Sequence, residues 1–258
     1  MGDDLKSNEE WRAWGEIDPM FGVASWQGRK QGEDNAWTAE EFYRLARSDW
    51  DDFRHIWLAL YPPKPGTVLE IGAGAGRMSN QLADHFAQVK AVDVSPGMLD
   101  FARKHVTKPN IEWILGDGLR LPANDASVQA VFSVHVFQHF NDVEAVRHNL
   151  LECVRILEPG GSLFIHTYVH AFPEAGQSFS RLARKAYRLF MQASARKAER
   201  RRRAMRSGGA EPYMHGLSHE ASDLLALAAE VGLAERLVVT MPPSISGGMH
   251  SVLVARKP

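Results

Sequence analysis

The chain has 258 residues, 45% of them apolar and 24% charged, and a formal net charge of −1. That length allows one large core or one domain with additions, and the near-neutral balance excludes a molecule built as a whole to hold polyanions. A single cysteine, Cys153, excludes an internal disulfide framework, and no Cys/His spacing suggests a metal site.

Residues 1–65 read as an N-terminal helical cap carrying six of the seven tryptophans: Trp11, Trp14, Trp26, Trp37, Trp50 and Trp57. Its opening, MGDDLKSNEE, is acidic and polar, unlike a secretory leader, and its serine falls one place late for myristoylation. A helix opens at Thr38, where Glu41 completes a capping box, and ends before the breaker PPKPG at 62–66. From residue 66 to 258 strands and helices alternate. TVLEI is a strand, 75–86 a helix and VKAVDV a second strand; a helix follows SPGM, and IEWIL and VQAVFSV are the third and fourth strands. A helix over 143–157 stops at EPGG, and SLFIHTYV is the fifth strand. Residues 171–217 interrupt the rhythm with the basic stretch SRLARKAYRLFMQASARKAERRRRAMRS, after which a helix at 219–231 and strands near 235–241 and 249–256 resume it. The pattern predicts an α/β, doubly wound, mostly parallel sheet with helices on both faces. No apolar run approaches membrane-spanning length, so a cytoplasmic protein without a membrane span is expected.

In such a sheet the ligand lies beyond the carboxyl ends of the strands, which is where the loop in VLEIGAGAGR falls. Gly72, Gly74 and Gly76 permit a tight turn and close backbone approach. A dinucleotide fingerprint needs G-x-G-x-x-G; here the third glycine comes one residue early and Arg77 takes its place. Glu70 suits a cationic ligand better than a pyrophosphate. Asp93 ends the second strand, where a carboxylate can accept both ribose hydroxyls, and Asp117 in LGDGLRLP is placed to accept an adenine amino group, unless it only shapes its turn.

Taken in order, VLEIGAGAGR, AVDVSPGML, LGDGLRLP, FSVHVFQHF and VRILEPGGSLFI resemble the motifs of class I S-adenosylmethionine-dependent methyltransferases, and of their small-molecule, type-11-like subgroup in particular. The resemblance covers about residues 66–170 and the final helix and strand pair. It implies a seven-stranded Rossmann-like sheet whose last strand, SVLVARK, is antiparallel, and S-adenosylmethionine as cofactor. It further implies that Glu70, Gly72, Ala73 and Gly74 support the methionine part, Asp93 and Val94 the ribose, Met98 the adenine face, and Asp117, Gly118 and Leu119 the adenine edge. Ser133 and His135 would border the methionine and sulfonium.

Methyl transfer needs a base only where the accepting atom must lose a proton. His139 is either that base or a residue that orients its loop; His135 is a cofactor neighbour or a second candidate. In FIHTYVHAF the period of two puts His166, Tyr168 and His170 on one face. Tyr168 and His170 fall nearest the substrate, and His166 reads as core. Tyr213 and His215 could close over the site or cap a turn. Cys153 lies inside a helix and reads as packing, which argues against covalent pyrimidine methylation.

Substrate choice is expected in the two additions. Trp11, Trp14, Phe21 and Trp26 could line the pocket, with Trp14 and Trp26 the foremost candidates, while most cap aromatics should pack on the sheet. Residues 1–61 hold 13 acidic against 7 basic side chains, and 181–206 hold 1 against 11. The arginines could be solvated, pair with the acidic cap of this chain or of a homodimer mate, or meet an anionic partner. Phe179, Leu182, Ala186, Phe190 and Ala193 form an apolar stripe, and no aromatics interleave with Arg200 to Arg203. The insertion therefore reads as a substrate-access lid. The function expected is methyl transfer to O, N or C of a small or medium-sized organic molecule, with nucleic acid disfavoured. The alternatives are an RNA or protein methyltransferase docking through the basic insertion, and a cofactor-binding regulator without turnover.

Overall fold

In the computed structural model, which describes residues 4–170, 216–240 and 250–258, five apolar runs form the parallel part of one sheet. They are β1 (Thr67–Ile71), β2 (Gln88–Asp93), β3 (Ile111–Leu115), β4 (Val128–Ser133) and β5 (Leu157–His170). The order is β3-β2-β1-β4-β5-β8-β7, with β8 (His250–Arg256) antiparallel to both β5 and β7 (Ala234–Thr240). The chain winds outward from β1 through β2 to β3 and then returns to β4 on the other side of β1. Loops leaving β1 and β4 therefore diverge, and a crevice opens above their carboxyl ends.

Alternation along the strands sends side chains to two cores. Val68, Ala130, Phe132, Phe164, Val252 and Val254 share one cluster; Leu69, Val131, Leu163, Ile165, Leu253 and Ala255 share the other. The second is closed by α6 (Val143–Ile156) and by α7 (Ala221–Glu230), through Val146, Leu150, Cys153, Ile156 and Leu224. The first is closed by α4 (Arg77–Leu82) and by α3 (Ala39–Leu60), whose capping box at Thr38 and Glu41 forms as the sequence predicts. Trp50, Phe53 and Trp57 recur at helical spacing on α3 and pack onto Phe132 and Phe164. The Trp57 indole N–H donates to Ser162 Oγ at 2.6 Å, and that hydroxyl donates to the Tyr61 carbonyl at 2.7 Å.

Ahead of α3 the chain forms α1 (Asp4–Ile17) and α2 (Pro19–Val23). Helix α1 crosses α5 (Pro96–His105) at backbone contact: a Cβ on Gly15 would stand 2.1 Å from Ser95 Oγ, and one on Gly97 2.7 Å from the Gly15 carbonyl oxygen.

Three details differ from the sequence reading. Helix α4 ends at Leu82 rather than 86, because the Asn110 amide donates to the carbonyls of Ala83 and Phe86. Strand β5 begins ahead of the glycines, with a register shift against β4 between Val128 and Ala130 and Gly160 at φ +76°. An eighth, three-residue strand, β6 (Ser218–Glu220), pairs parallel with Tyr168–His170, where β5 has outrun β4. The described residues fall in one compact unit. All but the last two residues of the 171–217 insertion, including Phe179, Leu182, Ala186, Phe190, Ala193, Arg200 to Arg203, Tyr213 and His215, lie outside the described residues. Among the described residues no helix is long and apolar enough to cross a membrane.

Helix α3 thus fills one core of the sheet. Trp57→Ala is expected to cost about 3–5 kcal/mol, and Ser162→Ala, which strands a buried indole N–H, about 1–3 kcal/mol. Urea unfolding followed by circular dichroism should show lower midpoints at unchanged slope; unchanged midpoints would contradict a load shared between α3 and the sheet.

Candidate functional site

The glycine loop after β1 takes its shape from backbone angles that side chains disfavour. Gly72, Gly74 and Gly76 have φ of +74°, +51° and +79°, and a Cβ on Gly72 would come within 2.2 Å of Val136 on the opposing loop. The loop is held by Asp93 at the end of β2. Its Oδ2 accepts the Gly74 N–H at 2.7 Å and its Oδ1 the Ser95 N–H at 2.9 Å. Burial raises the Asp93 pKa, against the lowering effect of these N–H groups. Glu70, one residue before the turn, is 3% exposed. Burial pushes its carboxyl up to about 8, opposed by the Ser79 hydroxyl that donates to it and reinforced by the charge of Asp93. Arg77, which breaks the dinucleotide spacing, is buried and ion-paired with Asp49 of α3, so the departure has a packing role.

Around the loop lies a cavity of about 1970 Å³. A single small-ligand site occupies roughly 300–1,000 Å³, so this one has room for a cofactor and a second molecule. Glu70, Gly72, Ala73, Gly74, Asp93, Val94, Met98, Asp117, Gly118, Leu119 and His135 all line it. Ser133 does not: it is fully buried, and its hydroxyl donates to the Ile71 carbonyl at 3.0 Å within the sheet. Asp117 shapes its turn, Oδ1 accepting from the N–H groups of both Leu119 and Arg120. The Leu119 N–H, expected at an adenine edge, is engaged in that turn.

His135, Gln138, His139 and Tyr168 also line the cavity. His135 has φ +61°, sparsely populated for a residue with a Cβ, and its N–H faces the Nδ1 of buried His166 at 3.4 Å. His139 ends a short 3₁₀ turn, Phe137–His139, and meets the Trp11 ring edge-on at 4.9 Å. Tyr168 is half-buried, and burial raises its pKa while a hydrogen bond from Gln138 lowers it. The side chain of His170 lies outside the described residues. Cys153 is buried in α6, where burial pushes its thiol far above the ordinary range.

Of the cap aromatics, Trp11 and Trp26 line the cavity and Trp14 does not. Trp14 packs instead on Phe21 at 5.5 Å, beneath Gly22. The polar clasp of α1 escaped the sequence reading. Ser7 Oγ donates to the His139 carbonyl, Asn8 Nδ2 to the Asp117 carbonyl and Arg12 Nε to the Val94 carbonyl, at 3.0, 3.1 and 3.1 Å. Backbone acceptors leave no trace in sequence, so no pattern announces these contacts. Gln138 also went unnoticed, although its place beside His139 in FQHF was a usable signal. Among the described residues no group of three or more His, Cys, Asp or Glu side chains could hold a metal ion.

Residues 69–165 match the family model of a methyltransferase domain. The chain is 37% identical over 114 residues to a malonyl-[acyl-carrier protein] O-methyltransferase of Methylococcus capsulatus, covering 42% of this chain and 40% of that one. It is 34% identical over 104 residues to a demethylmenaquinone methyltransferase of Tropheryma whipplei, covering 40% and 42%. The chain thus spans less than half the length of these curated relatives. It shares the fold of the N-methyltransferase NodS of Bradyrhizobium japonicum, solved with S-adenosyl-L-homocysteine, at a TM-score of 0.58 and 15% identity over 98% of this chain and 99% of that one. The glycine loop and the strand order agree with the matched segment, so residues 69–165 are a stretch of methyltransferase-domain sequence within a sheet of the same fold.

Proposed function

We propose that the protein is an enzyme that transfers a methyl group from S-adenosylmethionine to O, N or C of a small or medium-sized organic molecule. The observation that carries this reading is one cavity lined both by an Asp93-latched glycine loop and by His135, His139 and Tyr168. The names of the relatives, which act on a carrier-bound malonyl group, on a menaquinone precursor and at nitrogen, support an acceptor of modest size.

The residues fit the cofactor. Asp93 accepts the Gly74 and Ser95 N–H groups of the two loops, and a carboxylate with about four acceptor sites retains capacity for a ribose hydroxyl. The buried Glu70 carboxyl would repel a pyrophosphate but is drawn to ionise by a neighbouring cation, as a methionine ammonium or sulfonium provides. Met98 and Asp117, both in the cavity lining, are the residues we assign to the adenine, and Asp117 Oδ2 makes no hydrogen bond among the described residues. When bound, the cofactor supplies an already activated methyl group. The chain's own work is then to align the acceptor and exclude water, which can contribute roughly 7–11 kcal/mol. Trp11 and Trp26, which line the cavity, offer apolar area for the acceptor, and His139, in the same lining, is the residue we assign to take a proton from it.

Two outcomes follow from these roles. Asp93→Ala removes the ribose acceptor and frees the loop, so calorimetry should find S-adenosylmethionine binding about tenfold or more weaker, each charged hydrogen bond being worth about 1.5–3 kcal/mol; unchanged affinity would place the cofactor elsewhere. For Glu70 the ordinary value is 4.5 and the folded one about 8. Between them the folded state holds the proton that the unfolded state has lost, so stability falls as pH rises through that window and levels above it. Thermal unfolding of the ligand-free protein should show Glu70→Gln abolishing part of that fall; identical pH profiles for the two proteins would contradict the assignment.

A further inference from the structure

Gln138 sits in the middle of the 3₁₀ turn that ends in His139, 3% exposed and on the cavity wall. Its main-chain oxygen accepts the Leu217 N–H at 2.5 Å, which ties the turn to the chain entering β6. Its side-chain nitrogen, Nε2, lies 3.3 Å from His139 Nε2. An amide nitrogen can only donate, so the ring nitrogen facing it must be the acceptor, and a neutral His139 then carries its proton on Nδ1. The same side chain hydrogen-bonds the Tyr168 hydroxyl. Its carbonyl oxygen, Oε1, is buried with no hydrogen-bond partner among the described residues. Buried carbonyls are rarely left so, and this one calls for a reason.

We propose that Gln138 is a positioning residue of the acceptor site, whose amide holds His139 with Nε2 unprotonated and then rotates to receive the proton that His139 acquires. The role in turnover rests on the methyl-transfer reading; the tautomer it imposes does not. An acceptor bearing O–H or N–H must lose that proton as its oxygen or nitrogen bonds the methyl carbon and the carbon–sulfur bond breaks, leaving the electron pair on sulfur. The amide N–H occupies the single lone pair of His139 Nε2, so the amide turns away as the acceptor's O–H or N–H takes its place. The proton then passes to Nε2, leaving it a donor. A half-turn of the amide replaces Nε2 by Oε1, and the orphaned carbonyl gains its partner in the state that proton transfer creates. The imidazole itself is restrained, because the Trp11 ring packs against it at 4.9 Å and Ser7 holds its main-chain carbonyl at 3.0 Å. The moving part is therefore the amide.

The imidazole ¹⁵N spectrum of the full chain tests this without any acceptor, above the ordinary histidine pKa of about 6.5, with the His139 signals assigned by their loss in His139→Asn. The wild type should show Nδ1 protonated and Nε2 unprotonated. Gln138→Glu, which offers only acceptors, should move the proton to Nε2, and Gln138→Leu should release the preference for Nδ1. A wild type with Nε2 protonated overturns the proposal, as does a Gln138→Glu spectrum with the wild-type tautomer. Should Gln138→Leu fail to fold, the near-isosteric Gln138→Glu decides alone. Titration of the same samples with S-adenosyl-L-homocysteine separates the two readings: absence of binding counts against methyl transfer, whereas the tautomer alone judges Gln138.

Discussion

A carboxylate at the end of β2 holds two loops at once. Through its two oxygens Asp93 draws the Gly74 N–H of the first loop and the Ser95 N–H of the second to one point, and the shape of the cavity depends on that point. The glycine loop can turn only with left-handed backbone angles, and it needs an anchor to stay turned. Placing the anchor on the neighbouring parallel strand makes the loop part of the sheet. The arrangement also explains a costly feature, the second buried carboxyl at Glu70. Both acids are buried, and the charge of Asp93 adds to the effect of burial in keeping Glu70 protonated.

The two sides of the cavity have different origins. The glycine loop, Asp93, Met98 and Asp117 come from the crossovers of the parallel sheet and lie within the segment that matches the family. The roof comes from outside it. Helix α1 fastens to three loop carbonyls, at Val94, Asp117 and His139, and so bridges the loops that follow β2, β3 and β4. Helix α3 joins the same scheme from below, where Asp49 pairs with buried Arg77 at the start of α4. Residues before β1 are thus both core and wall.

What the sequence discloses follows the physics of each element. The strands were legible because parallel strands buried on both faces give unbroken apolar runs such as TVLEI and VQAVFS. The capping box at Thr38 was legible because its two partners are local. Contacts made by side chains to distant main-chain carbonyls were not, and the whole clasp of α1 is of that kind. Ser133 shows the converse error: it stands in sequence where a ligand neighbour is expected, yet the sheet absorbs its hydroxyl. Composition marks an aromatic cap but not where each ring packs, and so does not separate Trp14, on Phe21, from Trp11, in the cavity lining. The small strand β6 could not be foreseen, since three polar residues carry no period and pair only because β5 outruns its neighbour.

The central claim is that this cavity takes S-adenosylmethionine and not a dinucleotide. The most direct test is a calorimetric titration of the full chain with S-adenosylmethionine and, separately, with NAD. Saturable binding of one S-adenosylmethionine per chain, with no heat from NAD, is the result the account predicts. Saturable NAD binding with none for S-adenosylmethionine would contradict it.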